Sequence, residues 1–152
     1  MSVLSAGVAH AIFDRSHAMS KFVGPSASLG PGRPAAISPF RMRRVLQHVD
    51  ENLHRRIGLQ ELATLAGLSP WYFCRAFKRE TGLPPNRYIL ALRLDRACRL
   101  LASPGARLAD VAAAVGFSSQ AHFTSAFTRM LGMPPGRWRA LPSAGATGIA
   151  DA

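Results

Sequence analysis

Apolar residues recur through the middle of this chain at helical spacing, and no segment alternates convincingly with the two-residue period of a half-buried strand. Met42, Val45, Leu46, Val49 and Leu53 fall at i, i+3, i+4, i+7 and i+11, one face of a first helix that Ser38-Pro39 can start. Leu59 to Ala66 forms a short second helix, ended by Gly67, which takes a left-handed cap conformation at little cost. Ser69 caps a third helix with Pro70 at its first position, and that helix stops at Gly82. Pro84 and Pro85 open a longer helix through about Ala102, with Leu90, Leu94, Ala97 and Leu101 as its stripe and Asp95 and Arg99 spaced for an i,i+4 pair. Ser103-Pro104-Gly105 breaks it. The plan then repeats: a helix from Leu108, a turn at Gly116, a cap at Ser118, a helix to Leu131, a stop at Gly132 and a final helix from Pro134. The expected fold class is all-α.

The flanks lack this order. Residues 1–38 are rich in Gly, Ser, Pro and Ala without a sustained period, and 142–152 are similar. Such segments bury too little apolar surface to offset their ordering entropy, so they are expected to be a disordered arm and a flexible tail.

The second half of the pattern is a copy of the first. Leu59 and Leu108 open the two copies, 49 positions apart, with Gly67 matching Gly116 and Ser69 matching Ser118. After one inserted residue, Phe73, Phe77, Arg79, Gly82, Pro84, Pro85 and Arg87 match Phe123, Phe127, Arg129, Gly132, Pro134, Pro135 and Arg137. Each copy reads as a helix-turn-helix, in which one short helix braces a second that protrudes far enough to enter a major groove.

The chemistry lies in which faces of the protruding helices are apolar. Phe73 and Phe77 are one turn apart and must face inward; at 100° per residue Trp71, Cys74, Arg75 and Lys78 fall on the opposite side. Arg75 and Lys78 can donate to guanine O6/N7 or to phosphate, and Trp71 can meet a thymine methyl or the sugar-phosphate wall, unless it is a core aromatic. In the second copy Phe123 and Phe127 face inward, and the outward set is Ala121, Thr124, Ser125 and Thr128, with Gln120 at the first turn. These are short and uncharged, which predicts an asymmetric reader whose first unit specifies bases through Arg75. Ser69 and Ser118 open the reading helices, where helix-start amides can also meet a phosphate. Arg79, Arg129, Arg137 and Arg139 are candidate phosphate clamps, each otherwise a solvated or acid-paired side chain.

The 152 residues carry 19 Lys+Arg against 8 Asp+Glu, a formal charge of +11 that favours polyanionic partners. All the basic residues but Lys21 and Lys78 are Arg, whose planar fork suits phosphate and guanine. Cys74 and Cys98 have no metal-ligand spacing, nor do the five histidines, so no cofactor or metal is expected. No apolar run approaches a membrane span, and the mildly apolar Val3–Ile12 lacks a preceding Lys or Arg. A cytoplasmic protein without a secretion signal is expected. An enzyme is disfavoured, because no nucleophile–base pair, phosphate loop or metal cluster is visible.

Together, Gly67-Leu68-Ser69-Pro70, Phe73, Arg75-Ala76-Phe77-Lys78-Arg79-Glu80-Thr81-Gly82, Arg93, Ala97, Leu100-Leu101, Gly116-Phe117-Ser118-Ser119-Gln120, His122-Phe123, Ala126-Phe127, Gly132, Pro134-Pro135 and Arg137-Trp138-Arg139 form a pattern. It resembles the C-terminal DNA-binding domain of AraC/XylS-type bacterial transcription regulators over about residues 41–140. The resemblance implies a seven-helix bipartite domain at 39–141: a first unit (39–83), a linker helix (84–103) and a second unit (106–141). It implies double-stranded DNA as partner, with the two reading helices in adjacent major-groove segments; two readers on one chain let a monomer meet both half-sites. Many relatives also contact RNA polymerase as activators; others repress. Two departures stand out. Relatives commonly carry Arg or Lys where Ser125 stands, and the roughly 40 residues before the first helix are too few for a ligand-binding barrel, as in a stand-alone or truncated member. The competing reading is an interaction module, derived from such a regulator, that titrates a partner with weakened DNA specificity.

Overall fold

A computed structural model describes residues 36–141. The arm expected over 1–38 and the tail over 142–152 lie outside the described residues, apart from Ala36, Ile37 and Ser38. Seven helices follow in order: α1 (Pro39–Glu51), α2 (Leu59–Ala66), α3 (Pro70–Thr81), α4 (Pro85–Leu101), α5 (Leu108–Ala114), α6 (Gln120–Leu131) and α7 (Pro135–Ala140). No strand occurs among the described residues. These residues divide into two compact units that meet within α4, at Arg93 and Leu94.

In the first unit α1 packs on α2 and α2 on α3. The side chain of Ser38 accepts from Arg41 N at 3.3 Å, with Pro39 at the first helical position. Ile37 is buried one residue before the cap and Met42 is buried at the fourth helical position, the spacing of a hydrophobic staple. Met42, Val45, Val49 and Leu53 are buried as their period requires, while Leu46 is half-buried. Phe73 and Phe77 are fully buried with ring centroids 5.3 Å apart, and Tyr88 of α4 meets Phe77 edge-on at 5.1 Å. Offset-tilted and edge-to-face rings at such separations add to the burial of their area.

Polar side chains close the ends that the helices leave open. Arg93, half-buried on α4, donates from Nε to Leu53 O at 3.1 Å and from Nη2 to Arg55 O at 2.7 Å, satisfying the chain that leaves α1. Burial lowers its pKa, although a guanidinium stays charged near neutrality. Glu61, in the first turn of α2, takes Arg55 Nη2 and His48 Nε2 on one oxygen, each at 2.5 Å, and the Gly58 N–H on the other at 3.3 Å. The Arg55 hydrogen bond leads in holding its carboxyl well below the usual range, at about 2, against the opposing effect of burial and with further help from His48 and Gly58. At the far end of α2, Arg41 Nη1 donates to Ala66 O at 3.1 Å.

The second unit repeats these contacts: α5 packs on α6 and α6 on α7. Phe123 and Phe127 lie 5.5 Å apart, extended by Phe117 at 5.4 Å on one side and by Trp138 at 6.1 Å on the other. Trp138 stands where Tyr88 stands in the first unit, so each core is a chain of rings running into the following helix. Arg139 donates to Ala106 O, tying α7 to the segment before α5.

Two expectations need correction. Ser118 does not cap α6; Ser119 does, with extended backbone and its hydroxyl accepting from His122 N at 3.2 Å. From glycine to cap the second turn, Gly116 to Ser119, is one residue longer than the first, Gly67 to Ser69, and the extra residue sits before the cap, so Ser69 matches Ser119. The stripe on α4 is also incomplete. Tyr88, Ile89 and Leu92 are buried in the first unit and Leu94, Ala97 and Leu101 in the second, while Leu90 is only half-buried. A helix that serves two cores buries two sets of residues, and no single stripe describes it.

Candidate nucleic-acid interface

The turn before α3 is set by Gly67, whose φ of +66° lies in the left-handed region, and by Leu68 N donating to Ala63 O at 3.0 Å. This closes α2 with a Schellman-like arrangement and starts α3 two residues later. Ser69 caps α3, its hydroxyl accepting from Tyr72 N at 3.5 Å, and Pro70 supplies the first helical position. With Phe73, Ala76 and Phe77 buried, the opposite face of α3 is left to solvent.

That face holds Trp71, Arg75 and Lys78, all exposed, with Cys74 half-buried beside them. Trp71 is 59 % exposed, which removes the reading of it as a core aromatic. The Arg75 guanidinium stacks over the Trp71 ring, its Cζ 4.7 Å from the ring centroid. Tyr72, 47 % exposed, meets Trp71 edge-on at 4.9 Å. Tyr72 stands outside the set expected from the sequence; its 100° offset from Phe73 is the signal that places it on a flank rather than in the core. Among the described residues no carboxylate pairs with Arg75 or Lys78.

The α6 face is different in kind. Gln120, Ala121 and Ser125 are exposed, whereas Thr124 and Thr128 are half-buried. The Thr128 hydroxyl donates to Thr124 O at 2.7 Å, so it is engaged with its own helix. His122 is exposed and edge-on to Phe117 at 5.2 Å. Ser118 is exposed in the lengthened turn.

The four arginines singled out as clamps are all exposed but not equally free. Arg79 pairs with its neighbour Glu80 at 3.4 Å, an exposed contact of small energy. Arg139 spends one donor on the Ala106 carbonyl. Among the described residues no carboxylate pairs with Arg129 or Arg137. Ten basic against four acidic residues lie over 36–93, and six against two over 94–141, so both units are net positive. Cys98 is half-buried on α4, where partial burial and, secondarily, Asp95 push its thiol up to about 12. Among the described residues, no group of three or more His, Cys, Asp or Glu is placed to hold a metal ion, and no helix is long and apolar enough to cross a membrane.

Comparison with known proteins follows the same geometry. A family model described as a helix-turn-helix domain matches residues 62–141, just over half of the chain's 152. The probable transcriptional regulator LumQ of Photobacterium leiognathi is 38 % identical over 101 residues, covering 65 % of this chain and 41 % of that protein. The MmsAB operon regulatory protein of Pseudomonas aeruginosa is 34 % identical over 92 residues, 60 % of this chain and 30 % of that protein. The chain thus spans less than half the length of these curated relatives. Among solved structures, the DNA-binding domain of AdpA, crystallised with a target DNA, superposes with a TM-score of 0.63 at 31 % identity, covering 66 % of this chain and 90 % of that one. An AraC-type regulator from Chromobacterium violaceum gives 0.63 at 28 % identity, covering 69 % and 94 %. With the bipartite helical fold, the duplicated turn and the family match in agreement, this chain belongs to the AraC-type helix-turn-helix family.

Proposed function

We propose that this chain is a sequence-specific DNA-binding transcription regulator that reads two adjacent major-groove segments, the first through α3 and the second through α6. The observation that carries this reading is the solvent-facing set Trp71, Arg75 and Lys78, backed by buried Phe73 and Phe77 on a net-positive unit. An unpaired guanidinium on a protruding helix is the commonest means of reading guanine O6 and N7. The bound DNA of AdpA's domain, at 31 % identity, supports the same reading. Arg129 and Arg137 serve as phosphate contacts, with Arg79 and Arg139 adding to them once they exchange their present partners. The α6 face contributes weaker contacts: an amide from Gln120, small side chains at Ala121 and Ser125, and the methyls of Thr124 and Thr128. Two readers on one chain let a monomer occupy both half-sites, and RNA polymerase is a further partner of the bound regulator.

Selection of bound sites from random duplexes tests this. The wild type should enrich a bipartite motif, and affinity should fall steeply with salt as phosphates regain counterions. Arg75→Ala should relax discrimination at one base pair by about 1–3 kcal/mol, and Ser125→Ala should change it far less. Salt-sensitive binding without any enriched motif favours the alternative, an interaction module that titrates a partner, which the uncharged α6 face supports. A sharper second half-site refutes the asymmetry.

A further inference from the structure

We infer that Trp71 is a positioning residue for Arg75, so that the base specificity of α3 belongs to the stacked pair and not to the arginine alone. This rests on the DNA-reading proposal and goes beyond it by assigning what makes the guanidinium selective. Arg75 is exposed on a long, flexible stem with no carboxylate partner among the described residues, a state in which an arginine samples many rotamers. Here its Cζ sits 4.7 Å from the Trp71 ring centroid, within cation–π range, and the plane of the indole limits where the fork can point. Trp71 is itself steadied by the Tyr72 ring, edge-on at 4.9 Å and 87°. A fork held in place before it meets the base loses less entropy on binding than a free one.

The second unit supplies the contrast. Fifty positions on, Trp71, Tyr72 and Arg75 become Ala121, His122 and Ser125, while Phe73, Ala76 and Phe77 become Phe123, Ala126 and Phe127 with the same burial. The ring and the guanidinium occur together in one copy and are absent together in the other, although the scaffold beneath them is the same. The stack therefore belongs to the solvent face of the first copy and is not imposed by the shared scaffold.

The test is a double-mutant cycle of Trp71→Ala, Arg75→Ala and both, read as discrimination at each base pair of the selected motif and, separately, as affinity for random duplex. Trp71→Ala should reduce discrimination about two- to fivefold at the base pair that Arg75 reads. It should have no further effect on that base pair once Arg75 is alanine, and Trp71→Phe should fall between. Without DNA, the Arg75 Nε–H and Cδ–H resonances should lose their ring-current shift in Trp71→Ala, which a merely structural role would not predict. In the second copy, Ala121→Trp with Ser125→Arg should sharpen the half-site read by α6 more than Ser125→Arg alone. A Trp71→Ala loss that persists undiminished in the Arg75→Ala background overturns the coupling and makes Trp71 an independent contact. A double substitution in α6 no sharper than Ser125→Arg overturns it as well. A wild type that enriches no motif overturns the DNA-reading proposal and this inference together, whereas a selective wild type with an additive cycle overturns this inference alone.

Discussion

Gly67 offers a sharp test of how the first turn is built. Its φ of +66° is a conformation in which an L side chain costs about 1–2 kcal/mol. A Cβ at this position would lie 2.9 Å from Arg41 Cζ and closer still to Nη1, so it cannot be added without displacing the guanidinium. Because the obstacle is the end of a flexible side chain, the backbone can stay, and Arg41 moves instead. The move forfeits its bond to Ala66 O, worth about 0.5–1.5 kcal/mol. Gly67→Ala should therefore destabilise the protein by about 1.5–3.5 kcal/mol in all. Gly132, with φ +77° and open space where its Cβ would go, isolates the conformational part: Gly132→Ala should cost about 1–2 kcal/mol. In an Arg41→Ala background the Gly67→Ala cost should fall to the same range, since nothing remains to displace. Urea unfolding followed by circular dichroism measures all four variants. If Gly67→Ala costs no more than Gly132→Ala, or if removing Arg41 gives no relief, the proposed packing of Arg41 across the turn is refuted.

Glu61 should make stability depend on acid. Its carboxyl is held at about 2 against an ordinary 4.5, so its contribution is complete above about 4.5 and is lost as pH falls toward 2. Glu61→Gln should lower stability at neutral pH by about 1 kcal/mol, discounted because the carboxylate is a third exposed, and should flatten the decline between those two values. Superimposable stability–pH curves for the two proteins count against the Arg55–Glu61–His48 arrangement. The cap of α6 is equally testable: Ser119→Ala should cost about 1 kcal/mol and Ser118→Ala almost nothing, with the reverse order restoring Ser118 to the cap.

What the sequence made visible followed from period and chirality. The phenylalanine pairs had to be inside because Phe73 and Phe77, like Phe123 and Phe127, sit one turn apart on helices that pack one face against the preceding helix. The turns were marked by Gly67 and Gly116, where glycine relieves the left-handed strain. The α6 cap was not legible, because two adjacent serines offer the same chemistry and only the backbone decides which hydroxyl reaches an amide. Neither was the bracing of Glu61, since His48 lies 13 positions away and no local spacing links them. The helix angle put Trp71 outward while leaving a core aromatic open, and its stack with Arg75 depends on rotamers that composition does not determine.

The chain has two tryptophans, one in each compact unit, and they occupy unlike surroundings. Trp71 is largely in solvent beneath a guanidinium, whereas Trp138 is half-buried against Phe127. Their emission should therefore differ in wavelength and in quenching, which gives each half of the protein its own optical signal. With Trp138→Phe or Trp71→Phe, denaturation of either half can be followed without a label, and whether the continuous helix α4 makes them melt together becomes a direct reading.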